Sequence, residues 1–119
     1  VAFYIANKAL SPGLVGSQLC RAWINFNGTG TVAIRASFNV TSITDNGAGD
    51  YTVNLTTAMP DTNYCIVSMG DGDQGSYLTG IVIRQSTVPT VSALRITSIA
   101  TNNPAVIMDS TYINLAIFR

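Results

Sequence analysis

"SFNVTSITDNGAGDYTVNL", residues 37–55, is the stretch whose reading decides the fold. Apolar and polar residues alternate up to Val40, slip by one place at Ile43, and alternate again through Tyr51, Val53 and Leu55. A period of two is the mark of a strand with one face in a core and the other in water. A one-residue slip inside such a run reads as a β-bulge. Between the two runs stands Asp45-Asn46-Gly47-Ala48-Gly49-Asp50. This is turn chemistry: a loop of four or five residues, its glycines in left-handed positions, joining two strands as a hairpin. The alternative, a calcium loop, needs several spaced oxygen ligands and fails on their number.

Working outward, "TVAIRASFNV" (31–40) places Val32, Ile34, Ala36, Phe38 and Val40 on one face and predicts a single half-buried strand. Further strands are predicted at 22–26, 64–69, 77–83 and 91–99. Turn signals punctuate them, "NGTG" at 27–30, "MPDTN" at 59–63, "GDGDQG" at 70–75 and "NNPA" at 102–105 among them. The closing "TYINLAIFR" sets Ile113, Leu115 and Ile117 on one face, while the other, with Tyr112, Ala116 and Phe118, is also largely apolar. That strand is expected to be covered on both sides or to lie against a neighbour. Trp23, alternating with Ile24 and Phe26, is read as a core residue. Seven strands at this spacing, with no sustained helical period, predict an all-β, antiparallel, jelly-roll-like β-sandwich. Residues 1–19, broken by Pro12, Gly13 and Gly16, read as an extended lead-in lying along another subunit, with room for one helical turn from Ser11. Residues 20–119 form the sandwich domain.

The chain of 119 residues is 47% hydrophobic but only 10% charged, against about 25% in ordinary soluble domains. Six basic residues balance six aspartates, with no glutamate and no histidine. So sparse and neutral a surface is poorly protected against self-association, which points to cover by partner chains. The six cations are scattered, so no nucleic-acid partner is expected. No apolar run approaches the roughly 18 residues of a membrane span, and no signal-peptide pattern occurs. The chain opens on Val1, as a processed protein or a piece of a longer one would. Cys20 and Cys65 allow one disulfide but are read as free, mostly buried thiols.

The missing residue types bound the chemistry. Without histidine there is no Ser–His or Cys–His nucleophile and no ordinary zinc site. Without glutamate only aspartates could serve as a glycosidase pair. Asp71 and Asp73, two residues apart in a glycine-rich loop, have nothing to hold a catalytic separation. "DGDQG" begins like an acidic calcium loop, but Gly75 takes its fifth position and no glutamate follows. No catalysis, metal or cofactor is therefore expected. The same loop is the best binding candidate: Asp71, Asp73 and Gln74 offer hydrogen bonds and Tyr77 a flat face, a mix suited to saccharides. Three N-x-[ST] sequons, at Asn27, Asn39 and Asn54, are read as chance in a chain rich in these residues.

"RAWINFNGTGTVAIRASFNVTSITDNGAGDYTVNLTTAMPDTNYCIV", residues 21–67, resembles the C-terminal domains of bacteriophage and prophage tail fibres. Strand patterns and turns agree together over 22–35, 37–51 and 52–64, with Ala48 where that family often has threonine. The closing "INLAIFR" is similar to the apolar strand ending in Phe-Arg that finishes such chains. The loop 70–76 falls where relatives vary, as receptor-facing loops would. The resemblance implies a virion protein, homotrimeric, without catalytic residues, attaching a phage to a bacterial surface glycan and held by other virion proteins. The lead-in 1–19 does not look like a fibre shaft, so the alternative is a stand-alone virion element, a capsid decoration or head fibre.

Overall fold

The computed structural model describes residues 19–71, 78–101 and 104–119, and the backbone of 4–5 and 8–9. Near the start, β1 (Tyr4–Ile5) and β2 (Lys8–Ala9) pair antiparallel. The predicted helical turn at Ser11 lies outside the described residues. Nine strands then build two antiparallel sheets: β3 (Cys20–Asn27), β4 (Ala33–Phe38), β5 (Val40–Gly47), β6 (Asp50–Leu55), β7 (Cys65–Gly70), β8 (Thr79–Ile83), β9 (Ala93–Ala100), β10 (Val106–Ile107) and β11 (Ile113–Phe118). One sheet has the order β4-β3-β11-β7. In the other, β5 and β6 lie to one side of β9, together with the short β10, and β8 pairs β9 as well. Among the described residues there is no helix. The protein is a β-sandwich.

The core is the inner layer of both sheets. Ala22, Ile24 and Phe26 of β3 alternate inward beside Ile113, Leu115 and Ile117 of β11. Facing them are Tyr51, Val53 and Leu55 of β6 with Leu94 and Ile96 of β9. Phe26 and Tyr51 meet edge to face, centroids 5.3 Å apart, a geometry in which ring edge and ring face attract. Burying each large apolar side chain stabilises the fold by about 1.5–3 kcal/mol, so this one layer carries most of the stability.

The deciding stretch folds as a hairpin, with a shorter turn than expected. Gly47 pairs directly with Asp50, leaving only Ala48-Gly49 at the tip. The register shifts between Val40 and Ser42, where the phase slip predicted a bulge, and again between Asp45 and Gly47. Gly47 and Gly49 both have positive φ, 133° and 63°. At Gly49 a side chain would also strike the Met108 backbone, so glycine is required twice over there.

The expected single strand across 31–40 is two strands in two sheets. The break is Asn39, the one non-glycine residue described with positive φ (58°). Its amide Nδ2 donates to the carbonyls of Arg21 (3.1 Å) and Thr57 (3.0 Å), and its Oδ1 accepts from Thr57 N at 2.6 Å. These bonds hold a left-handed bend that carries the chain from one sheet to the other. A second shift, opposite Asn25 and Phe26, leaves Arg35 as an extra residue in β4. Ala36 and Phe38 consequently share the outer face with Asn25 and Trp23, whereas Val40 packs against the core from β5. The five residues expected on one face do not share one, because two backbone irregularities reverse the phase. β4 is exposed along its whole length.

Two further expectations are corrected. Trp23 is not in the core: it is 41% exposed and points outward, since its neighbours Ala22 and Ile24 take the inner positions. The cysteines are free, but Cys65 is exposed and Cys20 half-buried. Both pair with Phe118, one from each side of β11. Two strand spacings, about 9.5 Å, exceed the roughly 4.4–6.8 Å between Cα atoms that a disulfide spans.

Candidate binding site

The loops at one end of the sandwich converge. The hairpin tip at Gly49, the β3–β4 loop from Gly28, the end of β7 at Asp71 and the segment 108–112 before β11 all meet there. The centre of this end is Tyr51. Its hydroxyl, at the edge of the core, shares its proton between Asp109 Oδ1 (2.6 Å) and the Gly28 carbonyl (2.9 Å). Gly49 N donates to the same Asp109 oxygen at 2.7 Å. Burial, and then the Asp109 carboxylate beside it, push the Tyr51 phenol well above its ordinary value of 10.0, because both disfavour the phenolate. Gly28 must be glycine, as a Cβ there would collide with the Tyr51 hydroxyl. Below, Ser98 and Ser110 share a buried hydroxyl–hydroxyl bond of 2.7 Å. Ser98 N donates to Gly49 O (2.8 Å), and Gly28 N to Ser110 O (2.9 Å). The buried polar groups at this end therefore satisfy one another, as burial demands.

Above this network lies a mostly polar pocket of about 150 Å³, lined by Thr29, Asp71, Thr79, Asp109, Ser110 and Thr111 together with Met108. Of the residues expected to bind, Asp71 is here. Its backbone N donates to Tyr112 O (3.0 Å), and its Oδ1 accepts from Tyr112 N (3.0 Å), extending the β7–β11 ladder by one step. One carboxylate oxygen is thus committed to backbone. Asp73, Gln74 and Tyr77 lie outside the described residues. Sequence reasoning missed Asp109 and the threonines, which come from the β3–β4 loop (Thr29), the start of β8 (Thr79) and the segment before β11 (Asp109 and Thr111). The only available signal was the "MDST" run before the last strand, and it has no fixed spacing to the loop 70–76. The pocket offers two carboxylates and several hydroxyls, able to accept and donate hydrogen bonds to a polyhydroxylated ligand.

The outer faces of the two sheets differ. On the five-stranded sheet Asn54 Nδ2 donates to Ser42 Oγ (3.1 Å) and Thr44 Oγ1 (3.0 Å), and Asn46 Nδ2 to Thr52 Oγ1 (2.8 Å). Arg95 grips Asp50 with two bonds of 2.8 Å, and Arg84 stands 3.6 Å from the same carboxylate. The Arg95 hydrogen bonds hold the Asp50 carboxyl below its ordinary value of 3.8 despite the opposing effect of burial. On the four-stranded sheet the outward positions carry Trp23, Phe38, Val67 and Met69, all exposed. Trp23, Val67 and Met69 border an open groove that also holds Arg35, Asn25 and Asn114, the last two joined by a 2.7 Å bond between their amides. The non-core face of β11, expected to be covered, is half-buried at Asn114, Ala116 and Phe118.

The sequon asparagines have structural duties. Asn27 Oδ1 accepts from Thr29 N and Oγ1, Asn39 forms the bend, and Asn54 braces the polar face.

No protein-family model, curated protein or solved structure matches this chain.

Proposed function

We propose that this chain is a non-enzymatic attachment domain of a phage tail fibre, displayed on the virion as a homotrimer and recognising a bacterial surface glycan. The observation that carries the reading is the convergence of the β3–β4 loop, the end of β7, the start of β8 and residues 108–111 on one polar pocket at a single end of a rigid sandwich. Recognition sites concentrate on loops held by such a scaffold. The resemblance of residues 21–67 to fibre domains supports it, because those residues run from β3 to β7 and include both the corner at Asn39 and the hairpin tip that ties to Asp109. Asp71, Asp109 and the threonine hydroxyls supply hydrogen bonds to such a ligand. Three copies on an axis would raise a weak glycan affinity by roughly 10²–10⁴ where the geometry allows all to engage. Fluorescently labelled protein is expected to stain host cells, and Asp109→Asn or Thr111→Ala to weaken the staining. Absent staining, together with normal adsorption by fibres that lack the domain, would sink the reading.

A second reading, a structural virion element whose partners are other virion proteins, is favoured by one observation, the apolar outer face of the four-stranded sheet. Under it, removing the chain lowers particle stability and leaves adsorption intact.

A further inference from the structure

We infer that the outer face of the four-stranded sheet is the surface through which copies of this chain assemble, each face meeting its own equivalents around a common axis. The inference rests on the homotrimer in the reading above and adds where the contact lies, namely on β3, β7 and β11 rather than along the lead-in.

Three observations select a second copy as the occupant. The first is area. Aromatic side chains carry roughly 150–250 Å² each. Trp23 at 41%, Phe38 at 54% and Tyr112 at 50% exposure therefore leave on the order of 300 Å² of ring surface in water. Met69 and Val67, 72% and 59% exposed, extend the patch. With them the patch reaches the upper part of the roughly 300–600 Å² that the largest apolar patch of a monomer spans, more than half of the roughly 800 Å² per partner of a specific interface.

The second is charge. The face carries a single cation in its groove, Arg35, whose guanidinium is already engaged within the chain. Arg35 is laid over the Tyr112 ring at 4.0 Å and donates to Asn25 Oδ1, and Arg21 Nε is turned to the Arg119 carbonyl. One cation already held by Asn25 and Tyr112 repels a second copy little and offers an ionic partner little.

The third is the amide pair in the middle. Asn25 gives Nδ2 to Asn114 Oδ1, and among the described residues no acceptor lies against Asn114 Nδ2. A primary amide carries both donors and acceptors, so Asn114 can bond the same residue of a neighbouring copy. A single polar residue in an apolar contact specifies register at some cost in stability. Asn114 plays that part here.

The test is the native mass of the 119-residue chain by light scattering over a hundredfold dilution, for wild type, Met69→Lys and Asn54→Lys. Met69 is exposed, so its replacement leaves the fold intact by circular dichroism and melting. Asn54 is the control on the opposite face. Wild type and Asn54→Lys are expected at a multiple of 12.6 kDa, and Met69→Lys at 12.6 kDa itself. Alkylation of the exposed Cys65 thiol, on the same face of β7 as Val67 and Met69, gives a second readout without a mutation. It is expected to be at least tenfold slower in concentrated wild-type protein than in dilute protein. A wild type that is monomeric at every dilution, a Met69→Lys variant that keeps its assembled mass, or a Cys65 rate independent of concentration each overturns the proposal. None of these outcomes touches the cell-staining test, so the failure of the interface and the failure of host attachment remain separable.

Discussion

The two outer faces of this sandwich obey the same alternation and end in opposite states. Across β5, β6 and β9 of the five-stranded sheet the outward polar residues bond one another: Asn54 spans Ser42 and Thr44, Asn46 reaches Thr52, and Arg95 grips Asp50. On the four-stranded sheet the outward residues are Trp23, Phe38, Val67 and Met69, with one amide pair among them. The first face has a polar part whose groups hold each other, with Val82 and Ile107 exposed on its β8 and β10 strands but none of the exposed aromatic rings. The second leaves aromatic and aliphatic surface in water at a free-energy cost of roughly 25 cal/mol per Å². Burial alone therefore does not distinguish a finished surface from an unfinished one. What distinguishes them is whether the outward side chains have partners.

The largest effect is expected in the core that both sheets share. Phe26→Ala removes the ring that meets Tyr51 and should cost about 3–5 kcal/mol, measured by urea unfolding. If the loss were much smaller, the two sheets would not depend on one inner layer, and the comparison of their outer faces would lose its basis.

Next comes Tyr51→Phe, which keeps the ring and removes the hydroxyl. It strips a hydrogen bond from a carboxylate and is expected to cost about 1–3 kcal/mol. The pH dependence follows from the raised pKa of the phenol. A group whose folded pKa lies above its unfolded value contributes stability that is full below the unfolded value and lost as pH rises. Wild type should therefore lose melting temperature as pH climbs above 10, and Tyr51→Phe should show a flatter decline. Equal slopes would mean that Tyr51 is not the group that titrates.

Acid probes the polar face. Asp50 has a lowered pKa through its Arg95 hydrogen bonds, so its contribution is present above 3.8 and disappears as pH falls below it. Asp61, lowered to about 2 by Arg119 and the Asn63 backbone N–H, loses its contribution in the same descent. The melting temperature is expected to fall between pH 4 and 2, less steeply in Asp50→Asn. A profile that Asp50→Asn leaves unchanged would remove the ion pair from the account of that face.

The smallest effect sharpens the contrast. Asn54→Ala, which breaks two exposed side-chain bonds, should cost about 0.5–1 kcal/mol. Val67→Thr on the apolar face should change the stability of the isolated chain by no more than about 0.5 kcal/mol. A larger cost for Val67→Thr than for Asn54→Ala would mean that the apolar face already packs against something within the chain.

How much of this was legible beforehand differs along the chain. The hairpin at 40–55 was readable because its signals are local: the alternation, the slip at Ile43 and the glycines each act within a few residues, and Gly49 needs its positive φ whatever surrounds it. The strand pairs Ile24–Leu115 and Val53–Leu94 followed only as members of some sheet, since periodicity carries no partner. Asn39 was hidden because its bend depends on carbonyls contributed by Arg21 and Thr57, eighteen residues away on either side. The pocket was half-legible. Asp71 stood out in its glycine-rich loop, whereas Asp109 joins it only because β11 lies between β3 and β7.

By itself the sequence determined an all-β chain with an antiparallel sandwich pattern, the position of its central hairpin, and an economy of charge. Local sterics and side-chain alternation are enough for these. Tertiary structure alone decided that Trp23 faces out, that Cys20 and Cys65 stand too far apart to pair, and that residues 31–40 divide between two sheets. The physical reason is common to all three. An alternating strand offers two faces, and which of them becomes the core depends on the other strands that come to cover it.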